Sequence, residues 1–275
     1  MTDPRRALIA TTNALQPAGL NRGTAGNVSM RHGDGFYITP TGMPYAMLAV
    51  DDIPWLALDH GSRASHATHG GVSKKTNVSE VSAKANVSDA SVKGASPAAA
   101  TSNSGAEGAP NSWRGNPRLQ PGGTHGSPEG QRKPSSEWRL HRDLYATRPE
   151  VGAVLHAHSP FAVSLACLRR DIPPFHYMIA RFGGDNIRCA DYALFGSDQL
   201  SAAALAAMAE RKGCLLANHG LLVAGRDLDE ALALVIELEE LCEQYWRACQ
   251  LGRPVLLGEA EMAAVLEKFA GYGQQ

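Results

Sequence analysis

Apolar residues recur along this chain with two periods, on either side of one long stretch that has neither. From about residue 3 to 18, Ala7, Leu8, Thr11 and Leu15 form a stripe at helical spacing, with Asp3 as a cap and Pro4 suited to the first turn. A longer helix is expected over 227–250. Asp227 caps it, Glu230 three residues on completes a capping-box-like pair, and Leu228 to Trp246 supply an inner face that includes Leu232, Cys242 and Tyr245. Further helices are expected from a Ser135 or Ser136 cap to Pro149, over 160–168, in the alanine-rich 198–212, and near 258–270. Short β-type runs fall at 36–39, 53–58, 151–158 and 187–189, with a further buried stretch at 175–179. Residues 214–223 read as two buried strands interrupted by Asn218-His219-Gly220. This irregular alternation predicts a mixed α/β sheet covered by helices rather than a parallel barrel.

Between about residues 60 and 131 the pattern disappears. The stretch contains no Ile, Phe, Met, Tyr or Cys, and Trp113 and Leu119 are its large apolar residues. Such a composition buries too little surface to offset ordering entropy. It is expected to be a low-complexity, disordered insertion within a single domain spanning 1–275.

Composition adds mostly exclusions. The 275 residues are 44% hydrophobic with a formal net charge of −1. Nothing there calls for nucleic acid or an anionic membrane as a partner. No run of about 18 apolar residues exists, so no transmembrane helix is expected. The N-terminus lacks the apolar core of a secretory signal. Five cysteines, none in a CxxC pair, read as buried reduced thiols of a cytoplasmic protein.

Candidate chemistry concentrates at Val154-Leu155-His156-Ala157-His158. On a strand, residues at i and i+2 share a face, so the two imidazoles make half of a metal site. His219 can supply a third imidazole, and Glu137 a fourth ligand or a base at the metal's edge. Three neutral imidazoles suit Zn²⁺ and leave a position open for chemistry. Upstream, the glycines of Gly19–Arg31 fit neither a dinucleotide fingerprint nor a Walker loop. That segment is either a plain turn into a strand or a cradle in which Asn27 and Ser29 meet an anion. Thr41-Gly42 at a strand end and Ser135-Ser136 at a helix start are likewise competent to hold a phosphate.

With these residues in view, the chain resembles the class II aldolase/adducin family. The matching segments are GLNRGTAGNVSMR, ITPTGMPY, KPSSEWRLH, RPEVGAVLHAHS, IPPFHYMIA, GGDNIRCADYALFG, LLANHGLLVAG and VLEKFAGYG. They occur in family order and span nearly the whole chain outside the 60–131 stretch. The resemblance implies a three-layer α/β/α domain with a mostly antiparallel central sheet, assembled as a fourfold homotetramer with sites at subunit interfaces. It implies one Zn²⁺ per subunit held by His156, His158 and His219, with Glu137 as ligand in the free enzyme and acid/base in turnover. A substrate phosphate is expected among Asn27, Thr41, Gly42, Ser135 and Ser136. Tyr177 is expected to reach a neighbouring subunit's site and serve the aldehyde oxygen, and Phe195 and Tyr272 to lie near the aldehyde end.

The implied reaction is reversible cleavage of a ketose 1-phosphate, such as L-fuculose 1-phosphate, to dihydroxyacetone phosphate and an aldehyde. Decarboxylation or 4-epimerisation of a sugar phosphate is the alternative on this scaffold. Epimerases of the family usually carry Asp where Glu137 stands. Adducin-like interaction proteins lose the metal ligands, whereas this chain keeps them. Three departures from the family pattern, Asp191, Arg181-Phe182 and Asn218, are expected in loops near the aldehyde end.

Overall fold

The structure, a computed structural model, describes residues 3–21, 23–58 and 132–270. The expected insertion over about 60–131 and Tyr272 lie outside the described residues.

The helices are α1 (Pro4–Leu15), α2 (Trp138–Thr147), α3 (Pro160–Ala166), α4 (Asp198–Ala207), α5 (Leu228–Leu251) and α6 (Glu259–Ala270). The strands are β1 (Asn27–His32), β2 (Gly35–Ile38), β3 (Trp55–Ala57), β4 (Ala153–Ala157), β5 (Cys189–Ala190), β6 (Gly213–Leu216) and β7 (Gly220–Gly225). They form one sheet in the order β3-β2-β1-β4-β7-β6-β5. Every adjacent pair is antiparallel except β5 with β6.

Strand alternation creates the three layers. Val28, Ala153, Leu155, Leu215, Leu221 and Val223 pack beneath α1, α3 and α5. Phe36, Ile38, Val154, Cys214, Leu222 and Ala224 pack against α2 and α4 on the opposite face. β4 contributes to both and is buried throughout. A helix on each side of a sheet buried on both faces is the expected α/β/α arrangement.

Local chemistry sets the boundaries. Asp3 accepts a hydrogen bond from the Arg5 amide and caps α1, which stops at Leu15 rather than residue 18. Asp227 caps α5 by accepting from the Glu230 amide at 2.8 Å. Glu230 does not return the bond to the cap residue; it accepts from the Arg226 amide and from Lys212 Nζ. Trp246 lies 42% exposed on α5, its ring tilted against Phe161, while Tyr245 beside it packs part-buried against the core. Ser135 and Ser136 form a turn ahead of α2, and Glu137 occupies the cap position. The 175–179 run is not uniformly buried. It enters a 3-10 helix, Tyr177–Phe182, in which Ile179 points inward while Tyr177 is half exposed.

The cysteines are all free, but they are not all buried: Cys214 and Cys242 sit in the core, whereas Cys167 and Cys249 are exposed. Among the described residues no helix is long and apolar enough to cross a membrane.

Candidate functional site

β4 runs through the centre of the sheet and delivers His156 to the α2 face; His158 follows just after the strand ends. The third histidine arrives on the tight β6–β7 connection, Ala217-Asn218-His219, where Asn218 adopts φ +54°. Asn tolerates this left-handed conformation better than most residues. Gly220 follows because a Cβ there would stand 2.4 Å from the Ala157 carbonyl oxygen. That closeness seats His219 beside the end of β4. Gly26 plays the matching part on the other side, where a Cβ would meet the His156 carbonyl oxygen at 2.5 Å.

The three imidazoles pack edge to face, with ring centroids 4.7–4.8 Å apart. Glu137 closes the group. Its Oε2 is 3.2 Å from His156 Nε2 and its Oε1 is 3.3 Å from His219 Nε2. One ligand atom from each of the four residues lies within 4.8 Å of the others.

The donor set fits a divalent cation. His156 Nδ1 lies 2.8 Å from the Leu221 carbonyl, which only accepts, so the proton sits on Nδ1 and the Nε2 lone pair faces the group. His158 Nε2 stands 2.8 Å from that lone pair. Glu137 Oε1 is buried with no hydrogen-bond partner, a costly state for a carboxylate oxygen unless a cation meets it. Burial pushes all three histidines down, His219 to about 4, so at neutral pH they are uncharged donors. Burial alone would raise Glu137, but His156, His219 and the Asn27 amide outweigh it and hold the carboxyl below its usual range.

Beside this group opens a cavity of about 340 Å³. Asn27, Thr41, Gly42, Ser135 and Ser136 line one side of it, together with Thr24, Ala25 and Gly26. Backbone bonding ties the Thr41 and Ser135 segments together, the Thr41 amide donating to Lys133 O and the Ser135 amide to Thr39 O, and Asn27 joins them through its side chain, which donates to Ser135 Oγ. Glu137, His158 and His219 form the floor, while Tyr192, Ala193, Phe195 and Asn218 line the remaining wall. Tyr177 lies on the 3-10 helix and is not part of this lining. Of the three departures from the family pattern, Asn218 reaches the cavity. Asp191 is exposed away from its lining, Arg181 pairs with Glu237 at 2.8 Å, and Phe182 is fully buried in the core.

Several polar residues without an assigned role also meet here. Asn21 accepts from the His158 amide at 2.9 Å, tying the glycine-rich segment to a candidate ligand. Glu239 of α5 accepts from Ser159 Oγ and from the Phe161 and Ala162 amides, anchoring α3 directly after His158. His141 and Ser29 are fully buried behind Asn27, so of the two residues offered as an anion cradle only Asn27 lines the cavity, while Ser29 Oγ bonds His141 instead. Two sequence signals point to this last pair. Glu137 and His141 are spaced i, i+4, and Asn27, Ser29 and Arg31 put polar residues at alternate positions of a central strand.

Comparison with known proteins agrees with this architecture. A 5-methylthioribulose-1-phosphate/5-deoxyribulose-1-phosphate aldolase of Rhodospirillum rubrum is 41% identical over 98% of this chain and 92% of its own length. An L-fuculose phosphate aldolase of Escherichia coli is 34% identical over 98% of this chain and 94% of its own length. Among solved structures, an L-fuculose 1-phosphate aldolase superposes with a TM-score of 0.70 at 29% identity, covering 98% of this chain and 97% of that one. The family model for the class II aldolase and adducin N-terminal domain matches residues 6–90 and 108–246, which include every described residue of the histidine–glutamate group and its cavity wall. The chain therefore belongs to the class II aldolase and adducin N-terminal domain family.

Proposed function

We propose that this protein is a Zn²⁺-dependent aldolase that reversibly cleaves a ketose 1-phosphate to dihydroxyacetone phosphate and an aldehyde. The observation that carries this reading is the convergence of Glu137, His156, His158 and His219 on one point at the floor of a cavity whose adjoining wall is rich in anion-binding groups. A non-catalytic interaction protein has no use for such a buried, mutually close donor set.

His156, His158 and His219 would hold the cation, with Glu137 able to join them in the free protein. When bound, the cation supplies Lewis acidity beside the substrate carbonyl and stabilises the negative charge that develops there. Asn27, Thr41, Gly42, Ser135 and Ser136 grip the phosphate and fix the carbon chain relative to Glu137. In the cleavage direction the carbon–carbon bond breaks, the proton of the hydroxyl on the aldehyde side passes in net terms to the Glu137 carboxylate, and Glu137 delivers a proton to the carbon left behind. In condensation Glu137 removes that proton. A carboxylate held below its usual range is ionised at neutral pH and ready as the base.

Tyr177 serves the aldehyde oxygen of a neighbouring subunit's site, in a fourfold homotetramer. Its exposure in one chain, 50% for the whole residue, leaves it available to a neighbouring subunit. Phe195 lines the aldehyde end, with Tyr192 and Ala193 beside it. This wall is largely apolar, and the Rhodospirillum rubrum relative is named for 5-deoxy and 5-methylthio sugars. We therefore rank a substrate whose aldehyde part carries no hydroxyl ahead of L-fuculose 1-phosphate, which also ends in a methyl group but keeps a hydroxyl beside the aldehyde carbon. The protein is expected to work in the cytoplasm, on a phosphorylated sugar.

The test is cleavage by the Zn²⁺-loaded protein of 5-deoxyribulose 1-phosphate, 5-methylthioribulose 1-phosphate and L-fuculose 1-phosphate, with release of dihydroxyacetone phosphate as the readout. Cleavage with the first two preferred is expected. Absence of cleavage for all three, or decarboxylation of an acid sugar phosphate instead, overturns the reading.

A further inference from the structure

Behind the cavity wall a line of buried side chains leads from Glu137 into the core, and its hydrogen-bond directions follow from chemistry alone. Asn27 Nδ2 lies 3.0 Å from Glu137 Oε2 and 3.0 Å from Ser135 Oγ. A carboxylate only accepts, so the amide nitrogen of Asn27 must face Glu137 and its Oδ1 must face the other way. There Oδ1 meets His141 Nε2. An amide oxygen only accepts too, so Nε2 carries the proton.

His141 is fully buried, and burial pushes it down to about 3, so the ring is neutral and Nδ1 is bare. Nδ1 then accepts from Ser29 Oγ at 2.6 Å, and Ser29 Oγ in turn accepts from Tyr145 OH at 2.8 Å. The Val154 backbone amide also bonds to the Tyr145 oxygen, which leaves the phenol proton for Ser29. Every proton in the line points toward Glu137. Ser135 is oriented by the same amide. Its Oγ receives Asn27 Nδ2 and, at 3.3 Å, the Glu137 backbone amide, so its own proton is turned out into the cavity, free for an anion.

We propose that His141 is a positioning residue that locks the Asn27 amide in one orientation and thereby sets both ends of the site: the ionised carboxylate of Glu137 and the outward-facing hydroxyl of Ser135. The inference rests on the reading of a cation at Glu137 and a phosphate at Ser135. Among the described residues His141 is the group that meets Asn27 Oδ1, while Glu137 and Ser135 hold the Nδ2 end. Glu137 favours the same orientation, but without the His141 N–H the Asn27 Oδ1 is a buried acceptor with no partner, so the amide is held from one side only and its bonds to Glu137 and Ser135 weaken.

The test measures ligand binding rather than turnover, by calorimetry with inorganic phosphate on the Zn²⁺-loaded protein and by chelator competition for Zn²⁺. His141→Leu is expected to weaken both by roughly tenfold, in the range typical of groups that orient ligands. His141→Gln, which can still donate to Asn27, is expected to stay within about threefold of wild type by the same measure. The Asn27→Ala/His141→Leu double variant is expected to bind phosphate no more weakly than Asn27→Ala alone, because His141 acts through Asn27. Ser29→Ala keeps the ring but removes the hydroxyl that holds the proton on Nε2, and it should weaken phosphate several-fold. That variant decides the matter should His141→Leu fail to fold.

Wild-type phosphate and Zn²⁺ affinities in folded His141→Leu or Ser29→Ala overturn the proposal, as do losses that multiply in the double variant. Failure of the aldolase reading is seen separately, as wild-type protein that binds Zn²⁺ and phosphate but cleaves no ketose 1-phosphate.

Discussion

Asn27 on β1 and His156 on β4 are direct cross-strand partners, and both side chains project to the α2 face. A group from the proposed phosphate side of the cavity and a candidate metal ligand are thus set by one register of one antiparallel ladder. Glu137 meets both, accepting from Asn27 Nδ2 at 3.0 Å while its Oε2 stands 3.2 Å from His156 Nε2. A slip of one residue would send Asn27 into the opposite layer.

The first prediction follows from this pairing. Asn27→Asp is close to isosteric but replaces the donor facing Glu137 with a second carboxylate. Loss of the bond plus like-charge repulsion amounts to about 3 kcal/mol, or roughly a 100-fold fall in kcat/KM. Steady-state kinetics beside circular dichroism check it. A folded Asn27→Asp protein with activity near wild type would contradict the assignment of Asn27.

Metal removal gives a second. A cation binding only the folded state stabilises it by about 2.7 kcal/mol when free metal exceeds Kd a hundredfold. For a protein of this size each kcal/mol moves the thermal midpoint by roughly 2–4 °C. Chelation should therefore lower the midpoint by several degrees, and stoichiometric Zn²⁺ should restore it. His156→Ala/His219→Ala should show a midpoint that no longer responds to Zn²⁺. An unchanged wild-type midpoint on chelation would argue against the metal centre.

Much of this site was legible in one dimension. His156 and His158 stand out because alternation on a central strand puts them together, and His219 because a polar tripeptide interrupts an apolar run. The residues that line the cavity wall as candidate anion-binding groups stood out as glycine and hydroxyl pairs at element ends. The His141 line left only two local traces, the i, i+4 spacing of Glu137 and His141 and the alternate polar residues of β1, and neither says that the two meet. Asn27 and His141 are 114 positions apart, and nothing local says that the buried face of α2 will lie across the polar positions of β1. The start of α2 was misplaced for a related reason. Ser135 is engaged by Asn27 from another strand, so a tertiary contact holds the residue that local propensity would assign to the cap. Apolar letters also misled at Tyr177 and Trp246, which are exposed in this chain although their neighbours are core residues.

A third prediction concerns acid stability. Burial would raise Glu230, but bonds from Lys212 and from Arg226 outweigh it and bring the group down to about 2. A folded-state pKa below the unfolded value stabilises the protein above the unfolded pKa, and the contribution is lost as pH falls toward the folded one. Glu230→Gln should cost about 1–2 kcal/mol near neutral pH, allowing for solvent screening. The difference from wild type should shrink between pH 4.5 and pH 2, the window set by the shift of Glu230. Urea titrations at several pH values measure this. A constant difference across that window would contradict the role of the Lys212–Glu230–Arg226 cluster.

A fourth addresses the low-complexity stretch. Its flanks are tied to the sheet on their own account: the Leu58 amide donates to Asp34 O, Arg132 pairs with Asp52 at 2.6 Å, and Pro134 bridges Pro40. Replacing residues 62–130 by a short flexible linker should therefore leave the fold, and the proposed assembly and Zn²⁺-dependent cleavage, as they are in the full chain. Size-exclusion chromatography and a cleavage assay decide it, and loss of either property would assign the stretch a role in the site or the assembly.

The central claim is that Glu137, beside a bound Zn²⁺, moves a proton on the carbon that dihydroxyacetone phosphate contributes to the new bond. It is tested most directly without any aldehyde, by following proton exchange at the hydroxyl-bearing carbon of dihydroxyacetone phosphate in deuterated water by NMR. Zn²⁺-loaded wild type should exchange one of that carbon's two protons, and Glu137→Gln or chelated protein should not. No exchange by the loaded wild type, or undiminished exchange by Glu137→Gln, would contradict the account.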